Sequence, residues 1–249
     1  MNRKRFLYSS ILAGIGLQFP FQAFFKTPIE FQNISIDQVL GLDTSHLEPS
    51  PILLEKETYK SFSKMQSAAF KDGIHLQIVS GYRSFLQQKQ IWESKYKQLL
   101  NTHSSTEAIS EIITYYFHYQ GLLDTIGGTD IDIIDQSVQL PKGDILLEKH
   151  YHGTGVFSNL KVWMERYGSD FGFELVYTDD KTRTGFLYEP WHYSFSPTSK
   201  DFLSLQMEES FQTSWEKLSF DGKSKMTPEF IASYFKNYAL GISTFLMPS

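Results

Sequence analysis

The sequence predicts an α+β fold: a small antiparallel sheet flanked by helices, with a helical C-terminal extension. Three observations lead there. Helix-period segments come first and short strand-period segments later, without the regular βαβ alternation of a parallel sheet. The run Asp130–Ile134 (DIDII) alternates polar and apolar residues, as a strand with two unlike faces does. Of 249 residues, 41% are hydrophobic and 16% aromatic, with 21 Phe and 14 Tyr, so an aromatic-rich core can be filled.

The chain opens with a basic stretch, Asn2-Arg3-Lys4-Arg5, followed by the apolar run Phe6–Leu17. That is the layout of a secretory signal. No small-x-small cleavage pattern occurs in Gln18–Lys26, so residues 1–26 read either as a signal peptide or as an uncleaved N-terminal membrane anchor. A buried first helix is the competing reading. Signal or anchor, the segment implies export, to the periplasm or cell envelope of a bacterium. Residues 27–52 read as a polar linker containing Pro28, Pro49 and Pro51.

A helix is expected over Leu53–Asp72, where Tyr59, Phe62, Met65 and Ala69 recur at helical spacing and Lys71-Asp72-Gly73 supplies the stop. His75–Ser80 alternates as a strand. Phe85–Leu100 is a helix with Ile91, Trp92, Tyr96 and Leu99 on one face, and Thr106–Tyr119 is another. After the Asp130–Ile134 strand comes a helix over Asn159–Gly168. Strands Phe173–Tyr177 and Trp191–Ser194 surround the turn Thr178–Thr184. Residues 53–198 form the core in this reading, and 199–249 the helical extension, with Phe202, Leu205, Phe211 and Trp215 as packing residues.

The absence of cysteine excludes disulfides, thiolate metal ligands and a Cys nucleophile. With 23 Lys+Arg against 28 Asp+Glu, the net charge of -5 gives no basic field and argues against nucleic acid as a main partner.

Three motifs carry chemistry. Glu189-Pro190-Trp191-His192 sets a carboxylate and an imidazole three residues apart. In a regular strand those positions face opposite sides, but Pro190 cannot sit in a central ladder, and a bulge or bend there would bring both into one cleft. An isolated E-x-x-H also arises by chance, with a surface Glu and an aromatic-packed His. Asp130 and Asp132 point to one face of an otherwise apolar strand, where carboxylates are costly unless paired or metal-bound. A solvated strand edge is the plainer alternative. In Ser80-Gly81-Tyr82-Arg83-Ser84, the glycine permits a sharp turn. Arg83 can there grip a carboxylate or oxyanion, while Ser84 caps the next helix.

Taken together, VSGYRSFLQQKQIW (Val79–Trp92), GTDIDI (Gly128–Ile133), ERYGSDFGF (Glu165–Phe173) and TGFLYEPWHYSF (Thr184–Phe195) resemble the D-alanyl-D-alanine carboxypeptidase group of LAS-type zinc metallopeptidases. The group includes vancomycin-resistance carboxypeptidases. The resemblance covers about Glu55–Tyr193. It implies a small antiparallel sheet flanked by helices, a zinc cofactor, and peptidoglycan stem peptides as substrate, cut as a D,D- or L,D-carboxypeptidase. By resemblance, Asp132 and His192 are zinc ligands and Glu189 is the general base. Arg83 holds the substrate carbonyl, Trp191 and Tyr193 support the strand, and Asp130 orients its neighbours.

The chain departs from the pattern at one position. The family has a first histidine ligand seven residues before the aspartate, and this sequence has Thr125 there. A neutral threonine hydroxyl is not a usual zinc ligand. The reading adopted is a zinc-dependent carboxypeptidase, for which His150 or His152 could fold in as a third donor; the alternative is a catalytically impaired relative that binds wall peptides. A metal-free glycosidase using Asp132 and Glu189 leaves His192 unexplained. His46, His75, His103 and His118 read as structural or remote.

Overall fold

The computed structural model describes residues 34–115 and 127–248. Residues 1–26, read above as a signal or anchor, lie outside the described residues, as do His118 and Thr125. Among those described, no helix is long and apolar enough to cross a membrane.

The segment read as linker contributes to the fold. It contains a short helix α1 (Ile36–Val39) and strand β1 (Leu47–Glu48), and buries Val39, Leu40 and Leu47. Strand β1 pairs antiparallel with β2 (Leu54–Glu55). That pairing moves the start of the next helix past Leu53: α2 spans Lys56–Lys71. The Glu55 carboxylate accepts from the backbone N–H groups of Glu57 and Thr58. Buried Phe62, Met65 and Ala69 form the helix's inner stripe, while Tyr59, expected there too, is exposed. Helix α3 (Phe85–Leu99) starts at a capping box in which Ser84 and Gln87 exchange hydrogen bonds. Helix α4 (Ser105–Tyr115) packs against it.

A four-stranded, wholly antiparallel sheet has the order β3-β4-β6-β5, from β3 (Leu76–Ser80), β4 (Asp130–Asp135), β5 (Phe173–Leu175) and β6 (His192–Phe195). Helix α5 (Ser158–Tyr167) packs its Leu160, Trp163 and Met164 into the core that includes Ile131, Ile133, Phe173 and Tyr193. The rest of the chain is helical: α6 (Ser196–Gln206), α7 (Glu209–Lys217) and α8 (Pro228–Tyr234), the last running into a π-turn over Phe235–Ala239.

These later helices do not stand apart. Phe202, Leu205, Phe211, Trp215, Phe230, Tyr234 and Tyr238 share a second core with Trp92, Tyr96, Ile109, Val176, Tyr177 and Phe186. The fold class is therefore α+β, with one apolar cluster under the sheet and another between the α3–α4 pair and the tail.

Candidate active site

Strand register assembles the polar cluster. Asp132 lies opposite His192 and Asp130 opposite Ser194, so all four share one face of the sheet. Ser80 lies opposite Asp132 on the other side. It reaches that face through a register shift between Ile78 and Ser80; in a regular ladder Val79 would lie opposite Asp132 and Ser80 would turn to the apolar face.

Glu189 arrives by a turn rather than by the strand. The His192 N–H donates to the Glu189 carbonyl at 3.1 Å, closing the four-residue turn around Pro190 and Trp191. The two side chains, which a regular strand would separate, then lie together: Glu189 Oε2 is 3.9 Å from His192 Nδ1. The Glu189 N–H is fixed in turn by the Tyr177 carbonyl at 3.1 Å.

His192 is the centre of the cluster and is fully buried. Its Nδ1 is 2.8 Å from Asp132 Oδ1, and its Nε2 faces Asp130 Oδ2 at 3.5 Å. Asp130 also accepts from Thr129 Oγ1. Burial by itself would strip the proton from His192. The Asp132 charge, the Nδ1 hydrogen bond to it and the Asp130 carboxylate facing Nε2 outweigh it, so the imidazole is held charged well above its ordinary 6.5. Burial likewise disfavours the charged Asp130 carboxylate, yet its hydrogen bonds with His192, Ser194 and Thr129 keep it below the usual carboxylate range. The Tyr177 ring lies 5.2 Å from the imidazole and covers it.

Arg83 stands where β3 ends. Its Nη2 donates to Ser80 Oγ at 3.0 Å, which ties it to the residue paired with Asp132. It also lines an open groove with Gln87, Gln90, Ile91, Ser94 and Lys95. Trp191 and Tyr193 are buried in the sheet's apolar core, where Trp191 packs on Tyr151 and Tyr151 Oη donates to the Ile133 carbonyl.

A zinc centre needs three protein donors with a position left open for water or substrate. The described residues do not fit as a complete one. Asp132 and His192 supply two donors, Asp130 faces the other nitrogen of the ring where a carboxylate orients a metal-ligating imidazole, and no group of three or more His, Asp or Glu placed to hold a metal occurs among the described residues. The rings of His150 and His152 lie near Phe157 and Tyr188 respectively, and neither joins Asp132 and His192 in a group placed to hold a metal among the described residues.

Residues 51–198 match the family model of the VanY D-alanyl-D-alanine carboxypeptidases. The chain belongs to the VanY family. Two curated VanY-type relatives are D-alanyl-D-alanine carboxypeptidases. That of Enterococcus faecium is 30% identical over 145 residues, covering 57% of this chain and 37% of that protein. That of Enterococcus faecalis is 28% identical over 173 residues, covering 68% of this chain and 55% of that protein. The chain thus spans between a third and a little over half the length of these relatives. Among solved structures, a Zn(II) complex of a mutant VanY D,D-pentapeptidase from a VanB-type resistance cassette is 21% identical. The alignment covers 68% of this chain and 92% of that one, with a TM-score of 0.42.

Two residues at this VanY-family centre gave no sign of themselves in the sequence. Tyr177 lies two residues beyond β5 and Arg183 sits in a polar turn, and only the folded chain sets the Tyr177 ring on His192, its carbonyl on the Glu189 N–H, and the Arg183 guanidinium over Tyr177. A tyrosine just past a short strand and an arginine in a hydrophilic loop carry no period or spacing that marks them.

Proposed function

We propose that this chain uses the VanY-family cleft to bind peptidoglycan stem peptides ending in D-Ala, and that it lacks the zinc-dependent cleavage step. One observation carries the proposal: Thr125 stands where the resemblance puts the first histidine, which leaves Asp132 and His192 as two donors where a zinc centre needs three. The Arg83–Lys95 groove supports a ligand bearing carboxylates, since a guanidinium grips them with a planar fork of N–H donors. The choice of D-Ala rests on the named activity of the relatives. A cell-envelope location, expected from residues 1–26, would place the protein beside this ligand.

A second reading is a zinc-dependent D-alanyl-D-alanine carboxypeptidase. It is favoured by Glu189, a buried carboxylate held 3.9 Å from His192, where a base could take a water proton and pass it to a leaving amine. Arg83 would then stabilise the oxyanion.

The experiment combines metal analysis, calorimetric titration with a stem pentapeptide and assay of released D-Ala. Peptide binding without bound zinc or D-Ala release supports the first reading. Stoichiometric zinc with D-Ala release overturns it in favour of the second. An absence of both binding and release removes both. Thr125→His is expected to raise zinc affinity if the rest of the donor set is intact.

A further inference from the structure

We infer that Arg183 is a positioning residue for Glu189 and His192, and that the C-terminal tail around Gly241, beyond the matched family segment, is part of the same device. The Arg183 guanidinium collects four backbone carbonyls. Nη1 donates to Thr184 and Gly241, and Nη2 to Thr178 at 3.1 Å and Phe186 at 2.7 Å. These acceptors belong to the end of the β5 extension, to the turn that leads into Glu189, and to the tail. One rigid group therefore holds three separate segments.

The same guanidinium lies over the Tyr177 ring, 5.5 Å from its centre. Tyr177 touches the site twice: its ring covers the His192 imidazole, and its carbonyl receives the Glu189 N–H. Fixing Tyr177 fixes both the imidazole and the backbone of the carboxylate.

The tail closes on this turn without room to spare. Gly185 has φ +87°, and a Cβ there would lie 2.5 Å from the Gly241 carbonyl oxygen. A Cβ on Gly241 would lie 2.7 Å from Gly185 Cα and 2.6 Å from the Asn237 carbonyl oxygen. Two glycine backbones in contact allow the Gly241 carbonyl to reach Arg183. The contact continues on both sides: the Ser243 N–H donates to the Val176 carbonyl at 2.9 Å, and Tyr238 packs on Phe186, which packs on Tyr177.

The side-chain type matters. Arginine offers five N–H donors in a fixed plane, and its hydrogen bonds carry charge. Lysine is a point charge on a flexible stem and cannot span four carbonyls in that geometry. A residue that merely supplied positive charge would be replaceable by lysine; a positioning fork would not.

The inference takes Glu189 and His192 only as the buried centre of the VanY-family cleft, which both readings of the function share, and its test does not need activity. Arg183→Lys and Gly241→Ala are made in the full chain, with Phe245→Ala, on an exposed tail ring, as control. Two quantities are read: hydrogen exchange of the Glu189 amide, and the ring 15N shifts of His192. We expect both test variants to speed Glu189 exchange by about tenfold, the scale of one lost net hydrogen bond, with exchange in β4 unchanged. The His192 shifts move in both, and the control moves neither quantity. Full retention of both signals in Arg183→Lys would overturn the proposal. So would an unchanged Gly241→Ala protein, or global unfolding of both variants, since the role assigned is local. Failure of peptide binding alone would bear on the proposed function and leave these readings intact.

Discussion

The four-stranded sheet has two unlike faces. One carries Ile78 opposite Ile133 and Ile131 opposite Tyr193, within the core closed by α5. The other carries Ser80, Asp132 and His192 in one row and Asp130 with Ser194 in the next. Alternation along β4 places an isoleucine and an aspartate on the same few residues of backbone. The apolar face is held by buried area, which is non-directional and tolerates repacking. The polar face is held by charges that must stay paired, because each is costly when buried alone. A site can therefore be built on a rigid sheet only where the second face compensates the burial of the first.

The comparison is broken most severely at His192. His192→Ala leaves Asp130, Asp132 and Glu189 facing one another without the imidazolium, and is expected to cost about 3–5 kcal/mol, read by urea denaturation. The combined change Asp130→Asn, Asp132→Asn and His192→Leu is expected to cost less than His192→Ala alone, because Glu189 is then the one carboxylate of that set that loses the imidazolium, instead of three. A larger loss in the combined variant would show that packing, not charge pairing, holds this face.

The same pairing can be weakened reversibly with pH. His192 is held charged above its ordinary 6.5, so its contribution is full below that pH and is lost as pH rises through the raised value. Asp130 is held below its ordinary 3.8, so its contribution is full above that pH and is lost as pH falls through the lowered value. Stability measured against pH should form a plateau between the two, falling away on both sides. His192→Ala should flatten the alkaline side.

On the apolar face, Ile133→Ala is expected to cost about 2–5 kcal/mol, through lost burial and a cavity, with no change in the pH profile. A changed profile would mean that the two faces are coupled through β4. Smallest is Ser84→Ala, which removes a helix cap that lies off both faces of the sheet. It is expected to cost about 1 kcal/mol by thermal or urea unfolding and to leave the His192 ring signals in place.

Much of this was legible in the residues. The α2 stripe of Phe62, Met65 and Ala69, the strand at Asp130 and the cap at Ser84 follow from local period and side-chain chemistry, and all three are present. The helix expected from Leu53 begins at Lys56 because Leu54 and Glu55 pair with β1, a contact between segments that no local pattern encodes. For the same reason, residues 34–52, polar and proline-bearing, read as linker although they contribute buried side chains.

By itself the sequence determined the chemical inventory: Asp130, Asp132, Glu189, His192 and Arg83 in motifs of the VanY family, and threonine at position 125. Tertiary structure alone decided which of these groups meet. Strand register set Asp132 against His192, the shift at Ile78–Ser80 turned Ser80 to the same face, and a turn at Pro190 delivered Glu189. The tail, read as an extension, reaches back to that turn through Gly241 and Arg183. The physical reason is range. Period and capping are properties of neighbours in the chain, whereas register and backbone contact join residues about sixty positions apart. Those contacts exist only once both cores have closed around them.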